Sequence, residues 1–326
     1  MKAAVYHRYG SPDVIQIEDV EKPVPAEGEV LVKVRAAAVN PLDSHLMRGR
    51  PYVARLAFGL RMPKHNRPGV DVAGEIEAVG DGVKEFKPGD AVFGSCRGAF
   101  AEYVAASANA VVRKPENVTF EQAAAVPVAA FTALQGLRDK AKVRPGQRVL
   151  VNGAAGGVGT LAVQVAAWLG AEVTGVCSTR NVEMVRALGA AKVVDYTRED
   201  FTRSSERYDV IFDLIANHPV SAFRRALSPR GKYIVAGALG GPDGLLLGPL
   251  GYFLRVRVLS LFSSRELTSL LANPNREDLL LTAELLAAGK LKPVIDRRYS
   301  LDETAEALRY LKTGHARGKV LITPAG

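Results

Sequence analysis

Between Met1 and about Ala110 the apolar residues come in short bursts, AAVYH, VIQIEDV, EVLVKVRAAAV, VAGEIEAVG, DAVFGS and AEYVAA, each closed by turn formers. Bursts of this kind predict strands, and Gly10-Ser11-Pro12, Pro25-Ala26-Glu27-Gly28 and Lys87-Pro88-Gly89-Asp90 supply the turns between them. No amphipathic helix of any length is legible in this part, so a compact β-barrel-like domain is expected. From Thr119 the period changes. Thr119 with Gln122 three positions on predicts a capped helix start running through Ala123 to Ala125, and a second helix runs from about Phe131 to Lys140.

Strands and helices then alternate. Strand patterns at Arg148 to Asn152, Glu172 to Cys177, Ala191 to Asp195, Asp209 to Leu214 and Tyr233 to Ala236 are separated by helical ones at Leu161 to Leu169, Asn181 to Leu188 and Ser221 to Leu227. This order predicts an α/β doubly wound parallel sheet covered on both faces. Val256 to Phe262 reads as another strand. A helix from Asp278 to Ala288, a strand from Val294 to Tyr299, a helix from Asp302 to Leu311 and a last strand from Lys319 to Ile322 follow. These final strands are too few for a domain, so they are expected to return to the N-terminal barrel. The expected divisions are 1–121, 122–265 and 266–326, the last completing the first.

The chemistry begins at QRVLVNGAAGGVGTLAVQVAAWLGAEVTGVCSTR, Gln147 to Arg180, which reads strand, glycine-rich turn, helix, strand. Gly156 and Gly159 occupy the second and third glycine positions of a dinucleotide fingerprint, with Ala154 at the first. A bare backbone at Gly156 admits a pyrophosphate, and the helix N-terminus offers free N–H groups and partial positive charge. Ala155, Gly156, Gly157 and Val158 are therefore the expected phosphate contacts. About twenty residues further on, an NAD site places an acid on the ribose 2′-hydroxyl. This chain has Cys177, Ser178, Thr179, Arg180 and Asn181 there, which favours NADP(H). Two readings of Arg180 stand, a partner for the 2′-phosphate or a cap on an exposed loop.

Composition narrows the class. A chain of 326 residues can bury a substantial core, and its formal charge of +9 suits an anionic cofactor as well as nucleic acid or a membrane surface. Arg48, Arg50, Arg55, Arg61, Lys64 and Arg67 lie in a span without a carboxylate, yet no continuous basic block occurs. Two cysteines, Cys96 and Cys177, make neither a disulfide framework nor a metal-ligand pair, and no signal core precedes the first strand. A cytoplasmic protein is expected. The lipophilic stretch from Leu245 to Phe262 is interrupted by Gly248, Pro249, Gly251, Arg255 and Arg257, so no membrane span is expected.

The segments Ala37-Ala38-Val39-Asn40-Pro41-Leu42-Asp43, Pro68-Gly69-Val70-Asp71-Val72-Ala73-Gly74, Gly82-Val83 through Val92, Ala154 to Gly159, and Ala316-Arg317-Gly318-Lys319-Val320 resemble the medium-chain dehydrogenase/reductase superfamily. Within it the chain is similar to the zinc-free, quinone oxidoreductase-like branch, and the run from Cys177 to Glu183 resembles reticulon-interacting NADPH oxidoreductases. The resemblance implies a GroES-like catalytic domain beside a Rossmann domain, NADPH as cofactor and a homodimer paired at the edge from Val256 to Leu261. Zinc-dependent relatives would carry a cysteine near Asn40 and a histidine in place of Val70. Neither is present, and His45, Asp43 and Asp71 read better as hydrogen-bonding groups than as ligands, so no metal is expected.

Without a Lewis acid, hydride acceptors must already be polarised, as quinones and α,β-unsaturated carbonyls are. By resemblance Asn40 lies near the nicotinamide ribose, although a turn-former before Pro41 is its other reading. Tyr52 could donate a proton to a developing enolate or serve as an aromatic wall. Thr132 matches a cofactor-bonding position or packs. The resemblance also implies that Tyr196 helps fix the adenosine phosphate, that Phe262 and Ser263 meet the carboxamide, and that Lys319 is a cofactor-facing position, its other reading being a solvated lysine. The leading expectation is an NADPH-dependent quinone or enone reductase acting on a small molecule, with no nucleic-acid partner. The alternatives are a 2-enoyl thioester reductase whose Arg48 to Arg67 cluster holds an acyl carrier, and a non-catalytic NADPH-binding protein that meets RNA or an organelle membrane.

Overall fold

The computed structural model describes residues 1–50, 52, 55–236, 249–261 and 265–324. Along the chain the elements are β1 (Lys2–Val5), β2 (Gln16–Asp19), β3 (Glu29–Val39), α1 (Pro41–Arg48), α2 (Arg55–Phe58), β4 (Asp71–Val79), β5 (Ala91–Ser95), β6 (Tyr103–Ser107), β7 (Val111–Arg113), α3 (Phe120–Ala124) and α4 (Pro127–Leu134). Then come β8 (Arg148–Asn152), α5 (Gly157–Trp168), β9 (Glu172–Cys177), α6 (Val182–Ala187), β10 (Lys192–Asp195), β11 (Tyr208–Asp213), α7 (Val220–Ala226), β12 (Leu227–Val235), α8 (Pro249–Leu261) and β13 (Glu266–Ser269). The chain ends with α9 (Arg276–Ala287), β14 (Ile295–Ser300), α10 (Thr304–Lys312) and β15 (Lys319–Thr323). Two compact units result, one of 1–128, 274–289 and 293–326, the other of 129–273 and 290–292.

The first unit is built on a seven-stranded sheet in the order β14-β15-β3-β4-β5-β7, with β6 also paired to β3. Its axis is β3, buried along most of its length, with Val30, Val32 and Val34 together in one core. Register shifts against β4 between Leu31 and Val32 and between Val34 and Ala36 bend this long strand, as bulges do. The first half of β3 thereby pairs with β6 and its last residues with β15. The C-terminal strands thus return to the N-terminal sheet, and Val320 and Ile322 join Val32, Val39, Val72 and Phe100 in one core.

One expectation for this unit fails. Asn40-Pro41 opens a helix, α1, in the stretch that reads as all-β. Proline suits the first helical position because its missing N–H has no partner there, and Asp43 accepts the Asn40 backbone N–H at 2.7 Å. Gly49 closes α1 in the left-handed conformation, with φ of 56°. The predicted cap at Thr119 is present, with Gln122 N–H donating to Thr119 Oγ1 and Thr119 N–H to Gln122 Oε1.

The second unit carries a six-stranded sheet in the order β10-β9-β8-β11-β12-β13. Every pairing in it is parallel. Counted from β8 this is the 3-2-1-4-5-6 order of a doubly wound dinucleotide fold, whose switch point lies between β8 and β11. Its edge strand β13 lies just past residue 265, where the sequence division was drawn. Residues 135–140, expected as plain α-helix, form a π-helix.

Val256 to Leu261, expected as a strand, is the second half of α8. The alternation Arg255-Val256-Arg257-Val258 imitates a strand, but burial follows helical spacing. Val256 is fully buried and Leu259 packs on the same core, while Leu254 and Val258 are exposed. The expected dimer edge is therefore not a strand, and Phe262, with Ser263, lies outside the described residues.

Candidate active site

The parallel unit prepares a phosphate cradle at the carboxyl end of β8. Gly153 takes φ of 88°, a conformation L side chains avoid, and turns the chain so that Ala154 N–H reaches Val176 O on β9 at 2.9 Å. Gly156 is the N-cap of α5. A methyl group built on Gly159 would sit 2.0 Å from Gly153 O, so only glycine allows helix and turn to pack. A methyl on Gly156 would meet nothing nearer than Gly153 O at 3.6 Å. That open backbone face, in front of the free N–H groups of Gly157 and Val158, fits a diphosphate. Ala155 is buried beside it.

Behind the cradle, at the switch point, lies a polar network that the sequence pattern hides inside apolar strands. Asn152 Nδ2 donates to Asp213 Oδ1 at 2.8 Å and to Asn217 Oδ1 at 3.0 Å. Tyr233 Oη donates to the other Asp213 oxygen at 2.6 Å, and Ile215 and Ala216 N–H groups complete the carboxyl's partners. Burial pushes the Asp213 carboxyl up from its ordinary value despite these donors.

At the carboxyl end of β9 the register sets Cys177 opposite Asp195, and Tyr196 N–H donates to Cys177 O at 3.0 Å. Ser178 and Tyr196 are thus brought side by side, Tyr196 with its ring exposed. Asp195 is occupied locally: Thr179 Oγ1 donates to it at 2.5 Å and Thr197 Oγ1 at 2.7 Å, with Arg198 Nε 3.5 Å away. The Thr179 hydroxyl, above all, holds this carboxyl below its ordinary value. Asn181 Nδ2 donates to Ser178 Oγ at 3.1 Å, while its Oδ1 is buried without a donor among the described residues. Arg180 stands exposed on the same short turn. Thr132 is buried on α4.

In the first unit a second cluster forms where the end of β3, the start of β4 and the start of β15 meet. Lys319 Nζ donates to Asn40 Oδ1 at 2.7 Å and to Asp71 Oδ2 at 3.0 Å. Asn40 Nδ2 donates to Ala38 O and to Asp71 Oδ2, and Val128 N–H donates to Asp71 Oδ1. Both Nδ2 hydrogens of Asn40 are spent, so its amide can meet a ligand only as an acceptor. Lys319 is buried, which removes its reading as a solvated lysine. Asp43 accepts from Asn40 N–H and, at 3.1 Å, from Gly69 N–H. Burial, helped by the charge of Asp71 and opposed by the two backbone donors and Lys319, pushes the Asp43 carboxyl up to about 7.

Tyr52 stands apart from this cluster. Its ring lies under Arg55 at 4.7 Å and Arg50 at 5.8 Å and is partly exposed. Asp71 already holds the ammonium of Lys319, a cation that opposes a second one, and Val70 beside it offers no donor atom. This donor set does not fit a metal ion, and among the described residues no three His, Cys, Asp or Glu side chains converge on one.

Comparison with known proteins identifies the family. The alcohol dehydrogenase GroES-like domain family matches residues 26–116 and the zinc-binding dehydrogenase family residues 188–322. A chloroplast envelope quinone oxidoreductase homolog of Arabidopsis thaliana is 35% identical over 341 residues, covering 99% of this chain and 98% of the relative. An NADPH-dependent alkenal/one oxidoreductase of the same plant is 33% identical over 339 residues, covering 99% and 80%. The solved quinone oxidoreductase of Coxiella burnetii superposes with a TM-score of 0.86 at 32% identity, covering 100% of this chain and 99% of that one. With such identity sustained along nearly the whole of both chains, this protein belongs to the quinone oxidoreductase-like branch of the medium-chain dehydrogenase/reductase superfamily.

Proposed function

We propose that the chain is an NADPH-dependent reductase of quinones or other α,β-unsaturated carbonyls. The observation that carries the reading is the pairing of the open glycine cradle with a β9 end that presents Ser178 and Arg180 while Asp195 is tied to Thr179 and Thr197. A free carboxylate at that end would suit a ribose hydroxyl and repel a 2′-phosphate. Ser178, Arg180 and Tyr196 hold that phosphate in this reading, with Gly156, Gly157 and Val158 on the diphosphate and Thr132 as a further contact. NADPH, when bound, supplies the hydride.

Asn40, fixed by Lys319 and Asp71, accepts a hydrogen bond from a ribose hydroxyl and so orients the nicotinamide half of the cofactor. Hydride transfer needs such positioning more than it needs side-chain chemistry. The acceptor must be polarised by conjugation, because Lys319 fills the place of a cation beside Asp71. Tyr52, exposed and outside the network, contacts the acceptor in this reading. The names of two of these similar proteins, a quinone oxidoreductase and an alkenal/one oxidoreductase, support this substrate class.

A homodimer is part of the reading, with β13, an edge strand of the parallel sheet, as the pairing element in place of 256–261. Two free cysteines support a reducing, cytoplasmic setting. No helix among the described residues is long and apolar enough to cross a membrane. Steady-state assays with a small quinone and a small enone test the function: turnover is expected with NADPH in preference to NADH and without loss on chelator treatment. Turnover that requires zinc, or no affinity for NADPH, overturns it.

A further inference from the structure

The cradle lies at the carboxyl end of the parallel strands, and their amino end carries a different feature. Arg207 directly precedes β11, Arg265 directly precedes β13, and Arg224 and Arg225 form the last turn of α7. Because α7 runs back between the parallel strands β11 and β12, its C-terminus and the strand starts share one end of the sheet. The four arginines, with Ser221, line a single open concavity of about 460 Å³.

Carbonyl groups position three of these four side chains. Arg207 Nη1 donates to Glu206 O at 2.8 Å and Ser204 O at 3.1 Å, Arg225 Nη1 to Ser221 O at 3.4 Å, and Arg265 Nε to Ser228 O at 3.2 Å. Arg224 Nε is buried and has no acceptor among the described residues. Among those residues none of Arg207, Arg224 and Arg225 forms an ion pair with a carboxylate. A carbonyl fixes a guanidinium without cancelling its charge, so the concavity gathers positive charge on held donors. The helix macrodipole favours cations at the end of α7, yet it gives no reason for Arg207 and Arg265 to arrive there from two other segments. Like charges around one hollow repel, and an anion placed among them reverses the sign of that energy. Guanidinium groups match phosphate oxygens in geometry as well as charge.

We propose that this concavity binds a phosphate-bearing anion of at least two negative charges, at the end of the sheet remote from the glycine turn. Its volume admits more than one phosphate group, which points to a diphosphate or a phosphate ester. This inference is independent of the redox reading, since none of its residues belongs to the cradle or to the Lys319 cluster.

Calorimetric titration of the full-length protein with inorganic pyrophosphate, alone and in excess NADP⁺, tests it. Binding is expected to survive NADP⁺ and to weaken roughly tenfold or more in Arg225→Gln and in Arg207→Gln. Both side chains are exposed, so melting temperatures close to that of the parent are expected, and either variant alone suffices if the other unfolds. Sedimentation with phosphatidylcholine vesicles, with and without phosphatidic acid, separates the sources of the phosphate. Pyrophosphate binding alone assigns a soluble ester, and phosphatidic-acid-dependent sedimentation abolished by the same substitutions assigns a lipid head group. Absence of both, complete displacement by NADP⁺, or binding undiminished in both variants overturns the proposal.

Discussion

Lys319 donates a hydrogen bond to Oδ1 of Asn40 across 2.7 Å, joining residues 279 positions apart in the chain. The same ammonium reaches Asp71, and neither charge sees much water: the Lys319 side chain is 5% exposed and that of Asp71 0%. One buried ion pair thus sits where the ends of three strands, already paired through their backbones, meet. Such a pair contributes little over an apolar replacement of both partners, but removal of one partner strands the other charge in the interior.

Lys319→Met is accordingly expected to destabilise the fold by about 3–5 kcal/mol, the usual cost of leaving a buried charge unpaired. Lys319→Met combined with Asp71→Asn should recover more than half of that loss, because the orphaned charge goes too. Urea unfolding of the single and double variants decides it. A single variant within about 1 kcal/mol of the parent means that the pair is better hydrated than its burial indicates.

How far these features were legible in the sequence follows from how local they are. The cap at Thr119 and Gln122 spans four residues, and the glycine turn is contiguous, so both can be read directly. The cluster of Asn40, Asp71 and Lys319 joins positions 31, 248 and 279 apart, and no spacing rule reaches that far. Asn152 and Asp213 were hidden differently, as polar ends of apolar strands whose pairing partner only the sheet order reveals. Helix α8 reads as a strand because Arg255-Val256-Arg257-Val258 fits a two-residue period over a stretch too short to expose the longer one. Helix α1 is masked in the sequence because a brief turn-like motif, Asn40-Pro41, serves equally as a helix start.

Asp43 links the same region to pH. Its carboxyl stands at about 7 in the folded chain against 3.8 for an ordinary aspartic acid, chiefly through burial. Between those two values the folded state binds the extra proton, so stability falls as pH rises from about 4 to about 7 and the contribution is constant above that. Asp43→Asn should flatten this decline, although it keeps only one oxygen for the two backbone donors. Unfolding free energies measured across the window check the sign. A parent protein whose Asp43-dependent stability rises with pH there would show that the carboxyl is ionised when folded.

Cofactor choice rests on Ser178 and Arg180 in the proposed reading. Arg180→Ala removes one charge-assisted contact to a 2′-phosphate, a loss of about 1.5–3 kcal/mol, or roughly 10- to 150-fold in NADPH affinity. NADH affinity should stay within about twofold, since NADH carries no such phosphate. Ser178→Asp should move the preference toward NADH by adding a ribose acceptor that repels the phosphate. Fluorescence titrations with both dinucleotides test the pair, and parallel losses for NADPH and NADH would move the phosphate site elsewhere.

The two fingerprint glycines give the sharpest contrast, because the geometry assigns them different jobs. At Gly159 an added methyl would lie 2.0 Å from the carbonyl oxygen of Gly153, so Gly159→Ala must push α5 away from the turn. A loss of about 1–3 kcal/mol in stability is expected, as for other overpacked sites. At Gly156 φ is −81° and the nearest atom to an added methyl is 3.6 Å away, so Gly156→Ala should melt close to the parent. The methyl nevertheless occupies the face on which a diphosphate would rest, and NADPH affinity should fall at least roughly tenfold, about 1.4 kcal/mol. Melting curves and NADPH titrations on the two variants separate packing from binding. If Gly156→Ala binds NADPH as the parent does, the open face is not where the diphosphate lies, and the glycine turn is not the cofactor site.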